Sequence, residues 1–185
     1  MNDRSASETS IRADYASVRA ELADESPVTV LHVGAGQTLV ASGRGREPDA
    51  VIALAIGAQK TSDDFFRHNP PTPLELENAI MTVEDEVARA RAIIVDDSRL
   101  FTCDAEIREI ALIAGLPDQP ALTLSLEVME KTFDRLASVS LGRPAAHEGL
   151  PDSTAFAATL LILREFMHHL QFAAIRVLAS PAQAR

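Results

Sequence analysis

Apolar residues recur every three or four positions in several stretches of this chain and form short unbroken runs in others. In the polar segment 1–26, Ile11, Tyr15, Val18 and Leu22 have helical spacing. This spacing predicts a short amphipathic helix that precedes the main domain.

Three short apolar runs follow and predict strands. The runs at 28–33 and 37–42 flank the turn Gly34-Ala35-Gly36, an arrangement typical of a β-hairpin. The run at 51–56 is apolar on both faces, so we expect a central strand there. Residues 27–185 contain no internal repeat and no linker, which predicts a single domain.

The residues around Thr72 carry the signals of a helix start. Thr72 suits the N-cap, Pro73 suits the first helical position, and Glu75 completes a T-x-x-E capping box. The apolar residues that follow predict the buried face of this helix: Leu76, Ala79, Ile80, Val83, Val87 and Ala90.

Two later segments fit both a strand and a helix. Residues 93–97 either end the capped helix or form a fourth strand, and we favour the strand. Residues 122–126 alternate as a strand does but also begin a helical series, so a helix over 125–139 is preferred. Between these segments, Asp104 is predicted to cap a short helix that stops before Gly115.

The last segment, 152–179, is predicted to be one long helix. Its main apolar residues alternate spacings of four and three, as in a coiled-coil seam. A second apolar flank predicts burial on more than one side, which a homodimer would provide. The alternative is the core helix of a monomer. The predicted interface residues are Phe156, Leu160, Leu163, Met167 and Leu170.

Together these elements predict an α+β fold. A small sheet begun by the N-terminal hairpin is packed by four or five helices, with the long helix last. The order hairpin, strand, helix, strand, helix, possible strand, helix is also similar to that of an RNase H-like or actin-like half domain. That resemblance implies the alternative, a mixed α/β sheet.

Composition and net charge limit the classes of function that we expect for this chain. The net charge of −10 and a pI of about 4.9 disfavour binding to nucleic acids and to anionic membranes. The apolar run 155–163 is too short to span a bilayer, and the polar N-terminus lacks an apolar signal region. With one cysteine, Cys103, no internal disulfide can form. We therefore expect a soluble cytoplasmic protein.

The turn after the first strand is the best candidate for a ligand-binding loop. Gly34 and Gly36 would let backbone N–H groups approach a phosphate, and Thr38 could add a hydroxyl. Actin-like kinases and phosphatases carry a carboxylate on this strand, and the resemblance places His32 at that position. The competing interpretation is a plain hairpin turn.

Asp96 and Asp97 form a second candidate group. If 93–97 is a strand, they lie at its carboxyl end, where α/β proteins place ligand sites. Paired carboxylates can bind a divalent ion or act as a base. A solvated strand exit is the competing interpretation.

Two further motifs are explained more simply by packing. Cys103 precedes a helix start, which can activate a thiol, but a packed side chain is preferred. Glu165 and His168 have the E-x-x-H spacing of di-iron bundles, but the motif occurs once, so helical pairing is preferred. No metal site is predicted, and the cofactor is left open.

Two functions follow from these observations. The leading prediction is a cytoplasmic binding or assembly protein that self-associates through its C-terminal helix. The alternative is an enzyme acting on a small phosphorylated or otherwise anionic metabolite, with its site between the Gly34–Thr38 turn and Asp96 and Asp97.

Overall fold

The computed structural model describes residues 2–179, with side chains from residue 8 onwards. Its strands are β1 (Val28–Val33), β2 (Thr38–Gly43), β3 (Ala50–Leu54), β4 (Arg99–Thr102), β5 (Ala121–Ser125) and β6 (Ala174–Leu178). Its helices are α1 (Asn2–Glu21), α2 (Ala58–Phe65), α3 (Pro73–Ala90), α4 (Ala105–Ile113), α5 (Leu126–Ser140), α6 (Ala145–Glu148) and α7 (Thr154–His169).

The strands form one mixed sheet in the order β3-β2-β1-β4-β6-β5. The first three strands pair antiparallel, β4 pairs parallel with β1, and β6 pairs parallel with β4. This is the mixed α/β sheet of the alternative prediction. Because β1 and β4 are parallel, their carboxyl ends meet at the same edge of the sheet. The third strand lies at the sheet's outer edge, so the expectation that it is central was wrong.

Helices cover the two faces of the sheet unequally. On one face, α1 packs its fully buried Ile11, Tyr15 and Val18 against the hairpin strands, so the segment 1–26 holds a long helix docked on the domain. On the other face, α7 contacts α2, α3, α4 and α5. The last helix is therefore the central helix of the larger core layer.

The C-terminal segment is shorter and more buried than its apolar pattern predicts. The helix stops at His169 because Gln171 adopts a left-handed backbone (φ 61°), and the Phe172 N–H donates to the Met167 carbonyl at 2.9 Å. The chain then forms β6, so a single helix over 152–179 was wrong. The predicted interface is internal: Phe156, Leu160, Leu163 and Met167 are buried, and Leu170 is half-buried.

The two ambiguous segments have opposite outcomes. Residues 93–97 are a turn after α3, with Asp97 at φ 60°, so the favoured strand was wrong. Ile93 and Ile94 are apolar because they pack against the core, and strand pairing begins only at Arg99. Residues 121–125 form β5, and Ser125 then caps α5 by accepting from the Val128 N–H. The preferred helix is confirmed, and a strand precedes it.

The helix start at Thr72 is confirmed in full. The Thr72 hydroxyl accepts from the Glu75 N–H, and the Glu75 carboxylate accepts from the Thr72 N–H at 2.8 Å. Burial would raise the pKa of Glu75, but hydrogen bonds from Thr72, His68 and Arg67 outweigh it and lower this pKa to about 2.

Among residues 2–179, no helix has the length and apolar character needed to cross a membrane.

Candidate functional site

The β1–β2 turn is held against the first turn of α2. The Ala58 N–H donates to the Gly34 carbonyl at 2.9 Å, and the N–H groups of Gln59 and Lys60 donate to the Ala35 carbonyl. Gly57 permits this approach, because a Cβ there would lie 2.6–2.7 Å from backbone atoms of the turn. The turn is therefore fixed by α2, a helix that the sequence pattern did not predict.

A histidine and an aspartate meet at this turn. His32 precedes the last residue of β1, and its Nδ1 lies 2.6 Å from Oδ1 of Asp104, which follows β4. The second carboxylate oxygen of Asp104 accepts from the Val33 N–H at 2.7 Å. Asp104 is almost fully buried, whereas about a third of the His32 side chain is exposed. The exposed part of the imidazole can therefore meet a ligand.

Asp104 occupies the N-cap position of α4, but its side chain makes no capping hydrogen bond. Both of its oxygens are directed to β1 instead. Its own N–H donates to the Thr102 hydroxyl at 3.1 Å, which helps to fix the backbone at the strand exit. The interpretation of Asp104 as a helix cap thus identified the helix but missed the role of the side chain.

The electrostatics around His32 favour its charged form. The hydrogen bond to Asp104 raises the pKa of His32 against the opposing effect of burial, and the charges of Asp104, Asp14 and Glu106 raise it further. Burial raises the pKa of Asp14, which lies on α1.

Burial and nearby carboxylates raise the pKa of Cys103 to about 12, so its thiol stays protonated and is a poor nucleophile.

A cleft of about 780 Å³ opens beside His32 and the turn. Its floor includes His32, Leu39 and Ala53, which are paired across β1, β2 and β3. Its lining also includes the cationic side chains of Lys60 and Arg89. The N–H groups of Ala35 and Gly36 have no hydrogen-bond acceptor among the residues that the structure describes. Cations and free N–H groups suit this cleft to an anion.

A second cleft of about 470 Å³ lies at the same turn and also reaches His32. It is bordered by Glu106 and Glu109 of α4 and by Phe156 and Thr159 of α7. The two glutamates give this cleft a negative character. The two clefts share His32, Gly34 and Ala35, so the imidazole stands between a cationic and an anionic environment.

The fold resembles that of the Ppx/GppA phosphatases. Two structures of the Aquifex aeolicus Ppx/GppA protein match with TM-scores of 0.76 and 0.77, at 21% identity, over 91% and 93% of this chain. An exopolyphosphatase from Cytophaga hutchinsonii matches with a TM-score of 0.71 and 16% identity over 90% of this chain. No protein-family model matches the chain, and the comparison with curated proteins gives no match.

The chain spans 57–58% of the length of these neighbours. Their common fold is the RNase H-like or actin-like type, which confirms the alternative prediction for the sheet. It also overturns the leading functional prediction of an assembly protein, since the neighbours are phosphatases and the proposed self-association helix is internal.

The predicted ligand residues lie in three different places. His32, Gly34 and Gly36 line the cationic cleft. A Cβ on Gly36 would meet no protein atom within 4 Å, so packing within the chain does not require glycine at this position. Thr38 is fully buried, its hydroxyl has no hydrogen-bond partner among the described residues, and it lines neither cleft.

Asp96 and Asp97 are far from the turn. They precede β4 and lie beside Arg91 and Gln171 in a separate cleft. Because β4 is parallel to β1, they face the start of β1, a strand length of roughly 20 Å from the turn. A site between the turn and these aspartates does not form. The carboxylate at the carboxyl end of the strand is Asp104, which was missed because the strand was predicted about six residues too early.

Proposed function

We propose that this chain binds a phosphate-bearing anion at the β1–β2 turn and hydrolyses its terminal phosphate. The observation that carries the proposal is the Asp104-anchored His32, which stands beside a turn with free N–H groups at the carboxyl ends of β1 and β4. The fold likeness to the Ppx/GppA phosphatases supports it.

The imidazolium of His32 has two uses in this reaction. Its Nδ1–H donates to Asp104, so its Nε2–H is free to donate to a phosphoryl oxygen. Water then attacks phosphorus, the bond from phosphorus to the leaving oxygen breaks, and that oxygen takes the Nε2 proton. Both protons of the water remain on the phosphate that forms, and one of them passes to the solvent as His32 takes up a proton again. Inorganic phosphate and a protonated leaving group result. Asp104 is a positioning residue, which holds the ring and stabilises its charge.

The cations of the first cleft suit a substrate with more than one phosphate. Lys60 lies 2.5 Å from Asp64 and Arg89 lies 2.6 Å from Glu86, and both side chains are about half exposed, so they can turn towards a bound anion. Polyphosphate, the substrate named for the Cytophaga hutchinsonii neighbour, has this chemistry. We propose inorganic polyphosphate and pyrophosphate as the first substrates to test.

The cellular setting is also a proposal. Cys103 is a free, half-buried thiol, which suits the reducing cytoplasm. Homodimerisation stays a prediction, and the buried seam of α7 does not supply its interface.

A phosphate-release assay on the purified full chain tests the proposal. Polyphosphate, pyrophosphate and p-nitrophenyl phosphate are supplied to the wild-type protein and to His32→Ala and His147→Ala. The exposed His147 of α6 lies outside both clefts and serves as the matched control. We expect His32→Ala to lose at least tenfold in rate and His147→Ala to lose nothing. Equal rates in all three proteins, or no release from any substrate, would reject the proposal.

A further inference from the structure

A carboxylate and a phosphate repel each other, so a site that places them together needs a cation between them. Magnesium commonly fills this role, bound by one or two carboxylates and by phosphate oxygens. The actin-like resemblance places such a carboxylate on the first strand, where this chain has His32. The fold family therefore implies a divalent cation, and the residues around His32 can be tested for their ability to hold one.

The donor atoms at this position do not fit a divalent cation. The two oxygens of Asp104 are already engaged, one with His32 Nδ1 and the other with the Val33 N–H. The pair leaves His32 Nε2 as its free atom, and a single nitrogen is a weak ligand for magnesium, which prefers oxygen. Among the described residues, no group of three or more His, Cys, Asp or Glu side chains is arranged to hold a metal ion.

The same atoms fit an anion directly. A Cβ on Gly34 would lie 3.4 Å from His32 Nε2, so this nitrogen lies over the Gly34 backbone at the start of the turn. The N–H groups of Ala35 and Gly36, which have no acceptor among the described residues, follow in the same turn. The imidazole of His32, whose pKa is raised, the N–H groups of the turn and the two cationic side chains thus line the same cleft.

We propose that this site binds its phosphate-bearing anion without a divalent cation, the charge of His32 taking the place that a metal ion holds beside a first-strand carboxylate. The inference rests on the proposed function, since it concerns the same site. It differs from that function in naming how the negative charge of the ligand is neutralised. It also predicts what a restored carboxylate does: His32→Asp should return the site to dependence on a metal.

Isothermal titration of the full chain with inorganic pyrophosphate tests this inference. Each titration is done once with EDTA and once with magnesium at millimolar concentration. For the wild-type protein we expect dissociation constants within about threefold of each other. His32→Asp should bind at least tenfold more weakly in EDTA and recover at least part of its affinity with magnesium. His147→Ala should behave as the wild type, and circular dichroism confirms that each variant is folded.

The outcomes separate this inference from the proposed function. If the wild-type protein binds pyrophosphate only with magnesium, the inference of metal-free binding is rejected, while the proposed phosphate site is still supported. Absence of pyrophosphate binding under both conditions would reject the proposed function and this inference with it. Comparing wild-type binding in EDTA with wild-type binding in magnesium is sufficient by itself, so the test does not depend on His32→Asp being folded.

Discussion

Nδ1 of His32 lies 2.6 Å from Oδ1 of Asp104, although the two residues are 72 positions apart in the chain. The other Asp104 oxygen accepts from the Val33 N–H at 2.7 Å. One carboxylate thereby ties the carboxyl ends of the parallel strands β1 and β4 together. It also fixes the imidazole ring so that Nε2 is left for a ligand.

Replacing Asp104 with asparagine should lower the pKa of His32. The amide keeps a similar shape but loses the carboxylate's hydrogen bond to the imidazolium, which is the main cause of the raised pKa, and it loses the carboxylate's charge as well. Titration of the His32 ring by NMR measures the change. Asp14→Asn is the matched control: it removes a carboxylate that acts on His32 only through space, so it should lower the pKa less. An unchanged pKa in Asp104→Asn would contradict the pairing.

The same pair makes stability depend on pH. The pKa of His32 is raised above that of an unfolded histidine, about 6.5. The contribution of the pair is therefore fully present below pH 6.5 and is lost as the pH rises through the folded pKa. Thermal unfolding from pH 5.5 to 9 should show this loss in the wild type. The unfolding temperature of His32→Gln should lack this pH-dependent loss. Profiles of unfolding temperature against pH that run parallel in the wild type and in His32→Gln would contradict the prediction.

Gly57 should be far less replaceable than Gly36. Its backbone is extended (φ −161°), so any residue can adopt it, but a Cβ there would clash with Ala35, Gln37 and Gly34. We expect Gly57→Ala to cost roughly 1–3 kcal/mol in unfolding free energy, as overpacking does, and to weaken anion binding. Gly36→Ala meets open space and should change stability by less than about 0.5 kcal/mol. Urea unfolding of both variants decides this.

Thr72→Ala should lower the unfolding free energy by roughly 1 kcal/mol, because it removes the oxygen that accepts the Glu75 N–H. The pKa of Glu75 is lowered to about 2, so its contribution is present above the unfolded value, near 4.5, and is lost as the pH falls towards 2. Urea melts at pH 7 measure the first effect, and melts from pH 5 to 2.5 measure the second. Thr82→Ala, at an exposed position of the same helix, should be nearly neutral.

Leu163→Ala should destabilise the chain and leave its assembly state unchanged. Leu163 is fully buried in α7, so truncation leaves a cavity at a cost of roughly 2–5 kcal/mol. Sedimentation equilibrium of the variant should give the wild-type mass at concentrations where both are folded. A change from dimer to monomer without loss of stability would contradict this expectation and support the seam of α7 as a dimer interface.

The local sequence determined those elements whose signals lie within a few residues. Thr72, Pro73 and Glu75 fix a helix start by hydrogen bonds and a ring that act inside one turn. The hairpin is likewise set by two apolar runs around a short turn. His32, Gly34 and Gly36 were recognised as ligand candidates because the turn that carries them is local.

Tertiary structure alone decided the partners of these residues. The register of β4 on β1 brings Asp104 to His32 and carries Asp96 and Asp97 to the opposite end of the sheet. Packing also decided which surfaces bury α7, because its apolar pattern fits a dimer seam and a core helix equally well. The physical reason is that strand register and helix burial depend on residues far apart in the chain, whereas caps and turns depend on neighbours.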